Sequence, residues 1–169
     1  MKNSGKSGKL QDKKLFSKVN KRQLSFPIAI LIILAMLTGC EDNYISPIPN
    51  YPVSLRLNLT ATYPTFKNSV GQTLTFEKPI LATDRIGFGG IVVCTNHFGE
   101  YTAYDMSCPH EAKQKIKVKP NDVGQLVCDS CNSVYDISQQ SAFPVSGPSK
   151  HPLKQYKTMV DGDYLHVFN

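Results

Sequence analysis

The chain has 169 residues, with 19 Lys and Arg against 13 Asp and Glu, a formal net charge of +6. Eight of the basic residues and a single acid lie within residues 1–25, so from Glu41 onward 11 basic residues face 12 acidic ones and the net charge is −1. The positive charge belongs to the amino-terminal stretch, and the nearly neutral body gives no support for nucleic-acid binding, so we expect no nucleic-acid partner.

The amino-terminal stretch has the three regions of a secretory signal peptide. The basic residues precede FPIAILIILAML, twelve residues without a charge, whereas a membrane-spanning helix needs about 20. The run Leu37-Thr38-Gly39-Cys40 that follows resembles the bacterial lipobox, in which the chain is cut before the cysteine and the thiol carries a lipid. We therefore predict a signal peptide over residues 1–39 and lipidation of Cys40, with an ordinary signal peptide or an uncleaved anchor as the alternative.

The segment after Cys40 indicates where the protein goes. Glu41 and Asp42 resemble the surface-export signals of Bacteroidetes lipoproteins, which favours an outer membrane location in a bacterial cell envelope, facing the periplasm or the cell surface. Three prolines lie between Pro47 and Pro52, so residues 40–52 are predicted to form an extended, lipid-anchored tether. The folded domain is predicted over residues 53–169.

The folded part shows strand periodicity. Apolar and polar residues alternate from Val53 to Leu59, as in a strand with one buried face. Asp161-Gly162 predicts a tight hairpin near the carboxyl end. Without a long apolar stripe at helical spacing, we predict an all-β fold of small antiparallel sheets or a barrel. The further predicted strands are Thr73 to Phe76, Gly90 to Cys94, Tyr101 to Tyr104, Lys115 to Lys119, Gln125 to Cys128, Ser133 to Asp136, Leu153 to Val160 and Tyr164 to Phe168.

Four side chains that bind metals well lie in two short clusters. Cys108 and His110 are two positions apart in MSCPHEA, and Cys128 and Cys131 have the spacing that lets one tight turn present two sulfurs to one centre. Three thiolates and an imidazole suit tetrahedral zinc or iron–sulfur chemistry, because soft sulfur ligands prefer these metals. The residues alone leave zinc and iron–sulfur chemistry open.

The spacing of these clusters resembles that of the Rieske family, Cys-x-His followed some 15 to 17 residues or more later by Cys-x-x-His. The resemblance covers about residues 75 to 168. GGIVVCTNHFGEYTAYDMSCPH is similar to the Rieske run in which two strands lead to an Asp or Asn shortly before Cys-Pro-His. NSVYDISQ and SGPSKHPLKQY resemble the family's segments after the second cluster. The resemblance implies a fold with two cluster-binding loops and a covering proline loop, closest to the ferredoxin-like branch.

The resemblance also implies a role for each site residue. Cys108 and Cys128 match the cysteines that hold one iron of a [2Fe–2S] cluster, His110 matches a histidine on the other iron, and Cys131 replaces the second histidine. The matching positions for cofactor contacts are the hydroxyls of Ser133 and Tyr135, which donate to sulfur, and Pro148 of the covering loop.

A thiolate at Cys131 adds negative charge next to the iron that takes up the electron. We expect the reduction potential to lie at or below about −150 mV, the lower end of the Rieske range, with hydrogen bonds from the two hydroxyls raising it. Asn132, where the family has a glycine, is able to adopt the left-handed conformation such a turn needs. The alternatives are a bound zinc ion or a metal-free module with a Cys128–Cys131 or Cys108–Cys128 disulfide.

The expected function is one-electron transfer to redox partners that the sequence does not name, by a carrier or subunit and not a stand-alone enzyme. The chain has no visible serine–histidine–acid grouping, phosphate loop or paired-carboxylate motif. Cys94 is predicted to be a small buried residue of a core strand. The remaining histidines, His97, His151 and His166, are predicted to face solvent.

Overall fold

A computed structural model of the chain describes residues 44–138 and 140–169. The predicted signal peptide over 1–39, the lipidation of Cys40 and the acids Glu41 and Asp42 lie outside the described residues. Within the described ranges, no helix is long and apolar enough to span a membrane.

The described chain is nearly all β, which confirms the predicted fold class. Residues 53–58 show why: Val53, Leu55 and Leu57 are buried while Ser54 and Arg56 are exposed, as the alternation predicted. A single helix, α1 (Pro64–Lys67), occurs among the described residues. The strands are β1 (Val53–Asn58), β2 (Thr73–Phe76), β3 (Arg85–Ile86), β4 (Ile91–Thr95), β5 (Tyr101–Asp105), β6 (Val118–Pro120), β7 (Gln125–Cys128), β8 (Val134–Asp136), β9 (Phe143–Ser146), β10 (Gln155–Asp161) and β11 (Tyr164–Phe168).

The strands form two antiparallel sheets. Seven strands, in the order β2-β4-β5-β10-β11-β1-β3, make a nearly closed, barrel-like sheet, and β6-β7-β8-β9 make a second, smaller one. The predicted hairpin joins β10 to β11, with Asp161 paired to Tyr164. The turn therefore consists of Gly162 and Asp163, and Gly162 adopts a φ of +57°, which glycine reaches without strain.

Strand β4 divides the core in two. All five of its residues are buried, because neighbouring side chains on a strand point to opposite faces and both faces are covered. Ile91 and Val93 join the apolar cluster inside the seven-stranded sheet. Val92 and Cys94 join a second cluster, which also contains Leu126 of the small sheet. This second cluster contains the residues that position the candidate site.

The described part of the predicted tether, residues 44–52, has no helix or strand but lies against the β domain. Ile48 is 2 % exposed. The Lys154 ammonium donates to the carbonyls of Ile48 and Pro49 at 3.2 and 2.7 Å, and Asn169 donates to the Tyr51 carbonyl at 2.9 Å. Residues 44–52 thus form a strap attached to the domain, not the free linker that their proline content indicated.

The lysine-rich segment differs from its prediction as a strand over 115–119. Strand β6 begins at Val118, and Lys115 lies in a turn. The chain turns because the Cys108 N–H donates to the Ile116 carbonyl at 3.0 Å, which holds the segment against the first cysteine loop. Lys115 therefore lies outside the strand, and Lys117 and Lys119 pair with Glu77 and Asp129.

Candidate metal centre

A buried carboxylate fixes the chain just before the first cysteine loop. Asp105 ends β5 with no exposed surface and accepts hydrogen bonds from the backbone N–H groups of Phe88, Gly89 and Ser107. Its Oδ2 also accepts the Tyr156 hydroxyl at 2.6 Å. Burial, and next the charge of this carboxylate, raises the pKa of Tyr156, so the phenol stays a donor at neutral pH. Hydrogen bonds from three different segments therefore fix Asp105 and the start of the first loop.

The two cysteine loops close with the same backbone turn. Ala112 donates its N–H to the Cys108 carbonyl and Asn132 donates to the Cys128 carbonyl, both at 2.8 Å. Ala112 and Asn132 both have left-handed φ values, +49° and +57°. The left-handed conformation predicted for Asn132 is confirmed, and the strained Ala112 shows that the first loop needs the same turn despite a less suitable residue.

This shared turn brings three sulfurs together. The Sγ atoms of Cys108, Cys128 and Cys131 all lie within 4.8 Å of one another, and those of Cys108 and Cys131 are 3.6 Å apart. Cys108 and Cys128 are fully buried, whereas Cys131 is partly exposed. Three cysteines at these separations are able to hold a metal ion.

Two hydroxyls predicted as cofactor contacts lie beside the sulfurs. Ser133 Oγ is 3.1 Å from the Sγ of Cys131, and the Tyr135 hydroxyl is 3.5 Å from the Sγ of Cys108. Both residues are fully buried. Burial, the largest cause, raises the pKa of Tyr135. The Tyr135 hydroxyl therefore stays protonated at neutral pH, while Ser133 Oγ accepts the Cys131 thiol hydrogen.

The segment predicted as the proline loop contacts the second cysteine loop. The Ser149 N–H donates to Ser133 Oγ at 3.0 Å. Gly147 lies against the same residue: a Cβ at Gly147 would overlap Ser133 Cα and lie 2.8 Å from the Asn132 carbonyl oxygen. Pro148, between them, is exposed. The backbone on either side of Pro148 thus holds Ser133 in place, and Pro148 itself faces outward.

His110 is exposed and is not part of the group formed by the three sulfurs. It lies in the first loop, two residues after Cys108, as the sequence requires. The structure therefore brings together three of the four predicted ligands. Of the other histidines, His97 and His151 are exposed as predicted, while His166 is half-buried, with its Nε2 buried and lacking a hydrogen-bond partner among the described residues.

The pKa values of Cys128 and Cys131 are shifted in opposite directions. Burial raises the pKa of Cys128 to about 12. Burial also acts on Cys131, but hydrogen bonds from the side chain and backbone of Ser133, and then the neighbouring thiols, outweigh it and lower the pKa of Cys131. The partly exposed cysteine is therefore the more readily deprotonated of these two.

Two contacts at the site were not anticipated from the sequence. Ser130 Oγ donates to Glu111 Oε1 at 3.2 Å and so joins the two loops. Ser149 supplies the N–H that fixes Ser133. Glu111 lies three residues after Cys108 and Ser130 two residues after Cys128, and only the fold brings the two loops side by side.

Cys94 lies elsewhere in the second core cluster. It is fully buried in β4 as predicted, and burial raises its pKa to about 12. It is not among the grouped sulfurs.

The chain matches no protein-family model, and a comparison with curated proteins finds no significant match. The site consists of two loops with a common turn, three converging sulfurs, and two buried hydroxyls in contact with them.

Proposed function

We propose that this protein is a lipid-anchored, extracytoplasmic electron carrier of the Rieske type, or a redox subunit, and not a stand-alone enzyme. In this proposal Cys108, Cys128 and Cys131 hold a [2Fe–2S] cluster together with His110. The observation that carries the proposal is the convergence of three sulfurs within 4.8 Å on two loops of matching backbone geometry.

The donor set fits such a group. Iron–sulfur clusters are held by thiolates, with imidazole as the replacement ligand in Rieske centres. The three sulfurs are presented by residues that are wholly or partly buried, which limits access of water to the site. His110 is exposed at the end of the Cys-Pro-His run, so in this proposal it supplies the fourth ligand from the solvent side. When bound, the cluster supplies a one-electron redox couple.

The remaining residues tune that couple. The Ser133 and Tyr135 hydroxyls lie within 3.5 Å of the sulfurs of Cys131 and Cys108, and hydrogen bonds to ligand sulfur stabilise the reduced state and raise the potential. The third thiolate, Cys131, adds negative charge and lowers the potential. The balance predicts a potential at or below about −150 mV, between Rieske centres and all-cysteine ferredoxins.

Zinc is the second candidate, because the same three sulfurs with one histidine form an ordinary structural zinc set. A zinc ion has no redox chemistry, so the protein would then be a binding or structural module of the cell envelope. The two candidates predict different visible absorption and different electron paramagnetic resonance of the purified protein.

The test is purification of the full chain without air, followed by visible absorption, electron paramagnetic resonance of the reduced sample and metal analysis. We expect a coloured protein with two irons and two acid-labile sulfides per chain and a reduced-state resonance. Cys108→Ala should lose the iron, whereas Cys94→Ala, a matched buried cysteine outside the site, should keep it. A colourless protein with one zinc, or without metal after anaerobic reconstitution, would reject the electron-carrier proposal.

The membrane anchor is tested separately. Growth with a labelled fatty acid should label the protein and the Cys40→Ser variant should remain unlabelled. An unlabelled wild-type protein would contradict the lipid anchor and leave the cluster proposal unaffected, because residues 1–43 contribute no predicted ligand.

A further inference from the structure

We propose that Cys108 and Cys131 are the site of a reversible disulfide that forms when the centre holds no metal, while Cys128 remains a thiol. The spacing of the sequence favours other pairs, Cys128 with Cys131 or Cys108 with Cys128. The geometry points instead to Cys108 with Cys131, whose Sγ atoms are 3.6 Å apart.

The sulfurs of this pair lie close together. The Sγ atoms of Cys108 and Cys131 are 3.6 Å apart, so they need to approach by about 1.5 Å to reach the length of an S–S bond, roughly 2.05 Å. Both loops keep their own turns during this approach, because the bonds that close them lie in the backbone. The link spans 23 positions, so it restricts the unfolded chain more than a link across three positions does.

Access favours the same pair. Cys131 is the partly exposed member of the three, while Cys108 and Cys128 are fully buried. An oxidant from solvent therefore reaches the Cys131 sulfur first. The Cys108 sulfur, 3.6 Å from it, lies in position to complete the reaction.

The chemistry is a two-step oxidation by a peroxide. The Cys131 sulfur takes one oxygen from hydrogen peroxide, forming a sulfenic acid and releasing water. The Cys108 sulfur then attacks the sulfenic sulfur, the S–O bond breaks, and the oxygen leaves as a second water with the thiol proton. Two thiols and one peroxide thus give one disulfide and two waters. An external thiol reverses the reaction by exchange and is itself oxidised to a disulfide.

The consequence for the centre, which rests on the proposed function, is control of loading by oxidation. The disulfide removes two of the three sulfur ligands at once, so the oxidised protein is unable to take up the metal until it is reduced. Cys128 stays a thiol because Cys131 pairs with Cys108.

Mass spectrometry can identify the linked cysteines, because aspartates lie between successive cysteines and allow them to be separated by proteolysis. Cleavage before aspartate puts all five cysteines of the unprocessed chain in separate peptides: residues 12–41, 84–104, 105–121, 122–128 and 129–135. The full chain is freed of metal with a chelator and a thiol reductant, exchanged into buffer without either, treated with one equivalent of hydrogen peroxide and alkylated. Non-reducing digestion and mass spectrometry then identify the linked peptides.

We expect peptides 105–121 and 129–135 to be joined, with 122–128 alkylated, in most of the protein. Cys128→Ala should retain this link, Cys131→Ser should abolish it, and Cys94→Ala, the matched control, should behave as wild type. A link involving peptide 122–128 in the wild-type protein, or alkylation of Cys108, Cys128 and Cys131 alike, overturns the inference.

A second readout separates this inference from the proposed function. Iron uptake is measured on the reduced protein, on the oxidised protein and on the oxidised protein after thiol treatment. If the predicted link forms but the reduced protein takes up no iron, the electron-carrier proposal fails and the disulfide stands. If the reduced protein takes up iron but the link joins other cysteines or is absent, the disulfide inference fails and the carrier stands.

Discussion

Two buried serines provide a sharp test of how the site is held. Ser133 and Ser107 are both fully buried, and each lies close to a cysteine of the sulfur group. Ser133 Oγ accepts the Ser149 N–H at 3.0 Å and contacts the Cys131 sulfur at 3.1 Å. Ser107 Oγ has no hydrogen-bond partner within the part of the chain that the structure describes. Substitution by alanine should therefore destabilise the protein at Ser133 and not at Ser107.

The expected magnitudes follow from these contacts. Ser133→Ala leaves the buried Ser149 N–H without an acceptor, which costs about 1–3 kcal/mol, so we expect a loss of about 2 kcal/mol in the free energy of unfolding. For a domain of this size that corresponds to a melting temperature lower by roughly 5–8 °C. Ser107→Ala removes a hydroxyl that already lacks a partner, so the change should stay within about 0.5 kcal/mol or be stabilising.

Urea unfolding of the metal-free, reduced full chain measures the difference. The chain has no Trp and 8 Tyr, so tyrosine fluorescence and circular dichroism are the probes. The midpoint of Ser133→Ala should fall while the dependence of free energy on urea stays constant, since the surface exposed on unfolding is unchanged. Equal midpoints for the two variants would refute the argument that Ser133 connects the covering loop to the cysteine loop.

Three further predictions concern other positions. Cys131→His should raise the reduction potential of the iron-loaded protein by about 125 mV or more, which is half of the minimum gap of about 250 mV between Rieske and all-cysteine centres. The pH dependence of the potential should change from one proton to two. Cyclic voltammetry across pH measures both, and the absence of a rise in potential contradicts the ligand assignment. Gly147→Ala should lower the free energy of unfolding by about 2–5 kcal/mol in thermal unfolding, because φ is +88° and the new Cβ meets the second cysteine loop. The control Gly99→Ala, with a φ of +79° and nothing within 4 Å of the new Cβ, should lose only about 1–2 kcal/mol. The pKa of Cys94 is raised to about 12, so its contribution to stability is complete below pH 9 and is lost by about 1.4 kcal/mol per pH unit as the pH rises towards 12. In urea titrations at alkaline pH, Cys94→Ala should reduce the slope of unfolding free energy against pH by one proton. An unchanged slope would contradict burial of the thiol.

The sequence predicted the regular strands well and the irregular ones poorly, for a physical reason. β1 has one buried face, so its alternation is visible, and β4 has two, so it reads as a continuous apolar run. β9 (Phe143–Ser146) was missed because it contains Pro144 and lies at the edge of the small sheet, where a strand tolerates proline. The two residues of β3 are too few to show any period.

The candidate site was predictable only as far as local spacing reaches. Cys128 and Cys131 share one turn, so their proximity follows from the sequence. The 3.6 Å approach of Cys108 to Cys131 depends on the packing of two sheets, which no local pattern encodes. The strap over 44–52 was hidden for the same reason, since its partner Lys154 lies about a hundred residues away.

The sulfur group lies between the two sheets, so a metal bound there would also connect them. Cys108 follows β5 of the seven-stranded sheet, while Cys128 and Cys131 lie at the end of β7 and in the loop that follows it. A metal held by all three would cross-link the sheets, and binding at a thousandfold excess over Kd would add about 4 kcal/mol to the folded state. Amide hydrogen exchange in β5 and β7 should then slow together on loading, because the bound metal would restrict local opening in both sheets.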